Sequence, residues 1–322
     1  MMRPEVAGAT RALLRAANGL GSRGVEALWA SASAATGVLA VHRPMRKWSS
    51  SGRERVIAFA PHPDDESIGC AGTVMRHRQR GDSVRIVIVT DGARSIALGL
   101  DRESMASRRQ MEAMRAARRM GVDCQWIGLP EGDWSEPDGL AAIRSALADV
   151  VPTLVYAPSS LDYHPEHRRV ARVIAAALAE LRAEPEIRIY SVQVPLTPLL
   201  TNLIHDVSDI EAHIRSVFAC YASQRESLTI ALRLRHYAAR FHRAAHGVEA
   251  FLSCSARDYI SLHARPDATF RPLMIRAWTD PLAAFVGLSE RLFWRHRAAG
   301  GRRYNAVSFM GARTGDSSQE SR

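Results

Sequence analysis

The chain has 322 residues, long enough to bury a full core, and its 47% hydrophobic content marks it as globular. The net charge of +10 belongs to the ends: residues 1–56 hold nine basic against three acidic residues, residues 291–322 hold seven against two, and the body between them is close to neutral. That body has no basic stripe for a phosphate backbone, which excludes nucleic acid as a partner, and four cysteines (Cys70, Cys124, Cys220, Cys254) without a C-x-x-C pair exclude a disulfide framework or a thiolate zinc site and suit a reducing cytoplasm.

Residues 1–53 read as a basic arm, partly disordered or interfacial, with a short amphipathic helix over 10–17. The apolar stretch 25–41 is too diluted by Ser, Thr and Gly for a membrane span, and no compact apolar run follows the first arginines as a signal peptide requires. From residue 55 strands and helices alternate. Val56, Ile57 and Phe59 predict a strand over 55–60 that is covered on both faces; a helix over 66–80 stops at Gly81; and 83–90 is a second strongly apolar strand. A helix over 102–120 stops at Gly121, then strand 124–129, helix 140–151, strand 153–157, a helix from about 168 to 181 and strand 187–194 complete the series. This succession predicts an α/β fold, a Rossmann-like doubly wound and mostly parallel sheet in 3-2-1-4-5 order, within a domain of residues 54–255. After Pro195 the pattern turns helical, over 206–221 and from 225 to about 252. A C-terminal extension, 256–297, carries an amphipathic, aromatic and basic segment over 281–297, and 298–322 reads as a disordered tail. Basic tails interleaved with Trp29, Trp48, Phe285, Phe293 and Trp294 suit peripheral contact with the inner face of a membrane by an otherwise cytoplasmic protein.

Two dense polar loops carry the chemistry. Pro61-His62-Pro63-Asp64-Asp65-Glu66 leaves the carboxyl end of the first strand, and Asp162-Tyr163-His164-Pro165-Glu166-His167 leaves that of the fourth. These two strands are neighbours across the switch point, so both loops overhang one crevice. Adjacent Asp64 and Asp65 repel each other unless a cation or a shared proton intervenes, and mixed Asp and His suit zinc. Three protein ligands with one open position is the catalytic arrangement, which His62, Asp65 and one of His164 or His167 would supply. Asp64 is then placed to take a proton from water, and the spare histidine to polarise a carbonyl and protonate a leaving nitrogen. A lone histidine is ordinarily a solvated side chain, and His77, His205, His213, His236, His242, His246, His263 and His296 are read so, with Asp91 as a turn residue.

With these motifs, residues from about 54 to 253 resemble the PIG-L or LmbE-like zinc-dependent de-N-acetylases, which act mainly on N-acetylglucosamine units in glycolipids, thiol glycosides and natural products. Pro61-His62-Pro63-Asp64-Asp65-Glu66 matches the family's first motif and His164-Pro165-Glu166-His167 its H-P-D-H motif. Weaker echoes are Thr90-Asp91-Gly92, Arg109-x-x-Glu112, the Gly128-Leu129-Pro130-Glu131-Gly132 turn, Ser223-Gln224 and Glu249-Ala250-Phe251. The resemblance implies one zinc per chain held by His62, Asp65 and His167, with Asp64 as general base and His164 stabilising the oxyanion and assisting departure of the amine. Glu166 stands where the family has an Asp that orients the catalytic histidine, and Asp162 is a second candidate for that role. Glu66 and Arg94 are further candidates for supporting the site or binding substrate. The expected partner is an amino-sugar-containing small molecule or glycolipid and the expected reaction hydrolysis of its N-acetyl amide. Hydrolysis of a phosphoester or lactone, or a membrane-surface protein with a degenerate site, are the alternatives.

Overall fold

The computed structural model describes residues 46–263, apart from 161, 163, 193–195, 197–200 and scattered positions between 226 and 246. The arm up to residue 45, the segment 281–297 and the tail 298–322 lie outside the described residues, as do His236, His242, His246 and His296. Eight strands form one mixed sheet: β1 (Arg46–Lys47), β2 (Arg55–Ala60), β3 (Ser83–Thr90), β4 (Asp123–Leu129), β5 (Leu154–Pro158), β6 (Glu186–Tyr190), β7 (Leu203–Asp206) and β8 (Val248–Ser255). Their order is β1-β7-β8-β6-β5-β2-β3-β4. The parallel run β4-β3-β2-β5-β6 is the expected 3-2-1-4-5 order.

The apolar run of β2 is continuous because both of its faces are covered. Val56, Ala58 and Ala60 enter one core together with α1 (Asp65–Gln79), α2 (Arg102–Met120) and α5 (Glu211–Phe218). Ile57 and Phe59 enter the other with α3 (Glu136–Val150), α4 (Pro165–Ala179) and α6 (Ala256–His263). Because β2 pairs with β3 on one side and β5 on the other, the crossovers from these strands diverge and leave a crevice at their carboxyl ends. Tyr190, at the end of β6, packs against the start of α1. Its hydroxyl donates to the Phe59 carbonyl at 2.7 Å, and a Cβ at Gly69 would stand 2.0 Å from its ring, so only glycine lets α1 approach this closely.

Several boundaries depart from the sequence reading; β6 ends at Tyr190 and not at 194, and α5 spans only Glu211–Phe218 of the expected 206–221. α4 starts at Pro165 and not near 168, since proline at the first helical position gives up no hydrogen bond, and His167 is thereby drawn into the first turn of a helix. α3 starts at Glu136, where Ser135 caps it by accepting from the Asp138 amide at 3.2 Å. The larger difference is β8. Val248–Ser255 lies in the span expected to be helical to about 252, yet it is a strand antiparallel to both β6 and β7, and Gly247 marks the break. β7 had no counterpart in the sequence reading, which started a helix at Asp206.

β8 also repairs α1. The helix is broken at Cys70 (φ −152°, ψ 22°), which frees amides further along. The Glu249 carboxylate accepts from the Gly72 amide at 2.8 Å, the Thr73 amide at 2.7 Å and the Thr73 hydroxyl at 2.5 Å, capping the second half of the helix from another element. His77 and His205, expected to be solvated, are buried and paired. His77 contacts Asp82 Oδ2 at 2.5 Å and the Tyr156 hydroxyl at 2.9 Å, and His205 contacts the Thr73 hydroxyl at 2.9 Å. Among the described residues no helix is long and apolar enough to cross a membrane.

Candidate active site

His62 and Asp65 leave β2 on a Pro-bracketed turn that folds back on itself, the Asp65 Oδ2 accepting from the His62 amide at 2.8 Å. The same oxygen lies 3.2 Å from His62 Nδ1 and 3.1 Å from His167 Nε2, and those two ring nitrogens are 3.1 Å apart. All three side chains are buried. The far nitrogen of each imidazole faces a further carboxylate: His62 Nε2 is 3.3 Å from Glu131 Oε1, and His167 Nδ1 is 3.1 Å from Asp162 Oδ2. Neither approach is well directed as a hydrogen bond, so these buried nitrogens have ion-pair proximity without a good donor geometry.

The electrostatics ask for positive charge at the centre. Burial opposes ionisation of Asp65, but His167 and His62 hold its pKa well below the carboxylate range. Burial likewise opposes charge on His62 and His167, yet Asp65 raises both, with help from Glu131 at His62 and Asp162 at His167. This is a place where a divalent cation would be favoured. Two ligands about 2.0–2.1 Å from a tetrahedral zinc lie roughly 3.3–3.4 Å apart, close to the separations seen, so the donor set fits the ion. The imidazoles of His62, His164 and His167 also bring ligand atoms within 4.8 Å of one another, an alternative triad with wider spacing.

Asp64 is beside this cluster in a conformation that costs energy, φ 123° on a residue other than glycine. Such strain is on the order of 1–3 kcal/mol and persists only where neighbours over-determine it. Here they do. Arg109, reaching across from α2, donates to Asp64 Oδ1 at 2.9 Å and to the Pro63 carbonyl at 2.5 Å, and Glu66 accepts from the Asp64 amide at 3.2 Å. Glu66 is in turn fixed by the Ser67 and Tyr221 hydroxyls, each at 2.5 Å, so it supports Asp64 from behind. Burial pushes the Asp64 carboxyl up to about 7 against the pull of Arg109. That combination is typical of a carboxylate held for proton transfer.

His164 stands on the other side of His62, ring centroids 4.5 Å apart and nearly perpendicular. Its Nδ1 accepts from the Glu166 amide at 3.3 Å, which puts the proton of the neutral ring on Nε2. Burial and the charged rings of His62 and His167 lower its pKa to about 3. Neither candidate for orienting its ring does so through a side chain. The Glu166 carboxylate accepts from Trp134 Nε1 at 2.6 Å, in a cluster where Arg169 stacks on Trp134, and Asp162 meets His167 and accepts from the His164 backbone amide at 3.2 Å. The longer arm of Glu166 carries its carboxylate past the histidine to the indole.

Two contributors stood in the sequence reading only among the weaker family echoes, with no role given to them. Glu131 approaches His62 Nε2 and, at 3.9 Å, His164 Nε2; burial opposes its ionisation, but His62 brings its pKa down to about 2. Its signal was the turn between Gly128 and Gly132, both at positive φ, which aims residue 131 into the crevice while Asp91 Oδ1 accepts the Glu131 amide at 3.0 Å. Arg94 belongs to the same rim: its amide donates to Glu131 Oε2 at 3.0 Å, and its guanidinium turns outward to Asp133. Arg109 was visible only as a family echo with Glu112, which the structure ties to Ser223 through its amide at 3.1 Å and its hydroxyl at 2.5 Å.

Residues 57–178, which hold every residue of the cluster, match the model of a known family, PIG-L: GlcNAc-PI de-N-acetylase. They form a PIG-L domain. Within it the chain is 30% identical over 146 residues to a probable N-acetyl-alpha-D-glucosaminyl L-malate deacetylase 2 of Bacillus anthracis, covering 42% of this chain and 65% of that relative. The chain thus spans less than two thirds of the length of this curated relative. The PIG-L domain and its surroundings also share their fold with N,N'-diacetylchitobiose deacetylase from Pyrococcus horikoshii (TM-score 0.56, 19% identity, 68% of this chain and 87% of that one). They also share it with GalB, the 4-carboxy-2-hydroxymuconate hydratase of Pseudomonas putida KT2440 (TM-score 0.53, 17% identity, 66% and 96%), so the fold alone does not fix the reaction.

Glu131 gives a test of the geometry. Replacing it with glutamine keeps the shape and removes the charge facing His62 Nε2; with His62 as a metal ligand, affinity for a divalent ion measured by competition with a chelating dye is expected to fall about 10–100-fold, the range for carboxylates that back such a histidine. Unchanged affinity would confine Glu131 to the turn.

Proposed function

We propose that the protein removes an N-acetyl, or similar short N-acyl, group from an amino sugar such as N-acetylglucosamine held in a glycoconjugate, glycolipid or natural product, using one zinc ion per chain. The observation that carries this reading is the strained, buried Asp64 standing beside the His62, Asp65 and His167 cluster with His164 facing it across the same crevice. The similarity of the PIG-L domain to a deacetylase of an N-acetylglucosaminyl conjugate supports the substrate class. His62, Asp65 and His167 would hold the metal. Their mutual separations of 3.1–3.2 Å are tighter than those of the three-imidazole set, and a carboxylate contributes charge that a third imidazole lacks.

When bound, a divalent ion there supplies Lewis acidity at the amide carbonyl and at the attacking water. The chain's own groups do the rest. Arg109 occupies Asp64 Oδ1, leaving Oδ2 to take the proton of the water as it attacks the amide carbon. The Nε2–H of His164 is available to donate a hydrogen bond to the carbonyl oxygen as negative charge develops, and the proton that Asp64 has taken from the water passes to the nitrogen as the C–N bond breaks. Carrying the Asp64 proton away restores the base.

The test is a panel of N-acetylglucosaminides differing in aglycone, with free amine and acetate both quantified. Equimolar release of the two from at least one member is expected. Turnover of phosphoester or lactone substrates with no acetate from any amide would overturn the reading.

A further inference from the structure

The connection between β4 and α3 touches both polar loops. Glu131 faces His62 Nε2 on the first, and three residues later Trp134 donates from Nε1 to Glu166 Oε2 at 2.6 Å on the second. The indole is built into its place. It is buried, and Arg169 of α4 stacks on it with the guanidinium carbon 3.7 Å from the ring centroid and donates to the Trp134 backbone carbonyl. A Cβ on Gly139 would stand 2.1 Å from the ring. Glycine inside a helix costs roughly 1 kcal/mol against alanine, and α3 carries that cost where the indole lies.

Glu166 is the second residue of α4, and its two polar ends have different partners. Its amide donates to His164 Nδ1 at 3.3 Å, which keeps the proton of the neutral ring on Nε2. Its carboxylate, buried, is anchored to the indole, so the amide that faces His164 belongs to a residue tied to another element. An aspartate there has an arm about 1.5 Å shorter, which would leave its carboxylate about 4 Å from Trp134 Nε1, past the reach of a hydrogen bond. Glutamate at 166 and tryptophan at 134 therefore belong together.

We propose that Trp134 is a positioning residue for His164: by holding the Glu166 side chain it fixes the amide that selects the tautomer of the imidazole facing the substrate carbonyl. The inference rests on the amide-hydrolysis reading above. The experiment uses the zinc-loaded full chain and the most active N-acetylglucosaminide of the panel, with Glu166→Asp, Glu166→Gln and Trp134→Phe. Glu166→Asp installs the residue of the H-P-D-H motif, and Trp134→Phe keeps a ring beside Arg169 while removing the N–H. Each is expected to lower kcat about 10–100-fold, up to the scale for displacing a reacting group by about 1 Å, with KM and zinc content held. Combined, they should cost no more than the worse of the two, since both break one hydrogen bond. Glu166→Gln has the reach and the acceptor oxygen, and is expected to recover most of the turnover that Glu166→Asp loses. Wild-type kcat in Glu166→Asp, or an equal loss in Glu166→Gln, would overturn the inference while leaving the deacetylase standing. The tautomer of His164, read from nitrogen chemical shifts in histidine-labelled protein with His164→Ala to identify its signals, gives a readout independent of turnover. Wild type and Glu166→Gln should show a single Nε2–H form, and Glu166→Asp and Trp134→Phe a mixture. One tautomer in all four proteins counts against the role even if no glycoside is hydrolysed.

Discussion

Asp64→Asn is expected to lower kcat for acetate release by about 10²–10⁴, the range for removing a general acid–base group, while zinc content stays at that of the wild type. Asparagine is isosteric, so its side-chain oxygen can still accept from Arg109 and the turn that presents Asp65 is kept. What disappears is the acceptor for the water proton. Because Asp64 is not among the proposed ligands, kcat and metal content should separate cleanly. A variant that loses metal along with turnover would make Asp64 a ligand and reassign the base. His164→Ala is the natural partner, since it too should retain zinc; metal loss there would favour the three-imidazole set.

The second large effect is expected from the three proposed ligands. His62→Ala, Asp65→Ala and His167→Ala should each reduce zinc, measured by elemental analysis of the purified protein, from about one ion per chain to a small fraction, with acetate release falling to background. Each substitution leaves two donors where a catalytic zinc takes three from the protein. It also strands partners in a buried cluster, because Asp65 Oδ2 serves His62 Nδ1, the His62 amide and His167 Nε2 together. Full metal occupancy in any two of the three variants would sink the assignment.

Much of this was legible in the chain. The central strands β2 and β5 announced themselves as continuous apolar runs and β3 as one broken only by Arg85; 83–90 and the helix 102–120 were read with the bounds the structure has, because a glycine and an aspartate punctuate their ends. The convergence of the two polar loops followed from strand order alone. The edge of the sheet did not. Val248–Ser255 contains Ala, Glu and Leu, good helix formers, and becomes a strand because the exposed side of β6 offers a ladder there, a tertiary effect that local propensity does not carry. Side-chain destinations were equally hidden. Whether Glu166 reaches His164 or Trp134 depends on one methylene and on where α3 places an indole, and Glu131 joins the site through a backbone turn whose geometry its two glycines permit but do not announce.

The break in α1 has an electrostatic consequence for a cation at the proposed site. A helix start bears about half a positive elementary charge, which is repulsive to a cation, and Asp65 opens α1. Unbroken, the compensating negative end of this 15-residue helix would be about 22 Å away; interrupted at Cys70, the aligned peptide units nearest the crevice run for about 9 Å before an opposing pole is reached. The positive end of the remaining half is delivered to Glu249 instead, a buried anion that Arg235 already flanks. The helix thus divides its field in two, and the portion left facing the crevice is a short dipole whose repulsion dies away quickly, so Asp65 can offer its charge to a divalent ion with little of it cancelled by its own backbone.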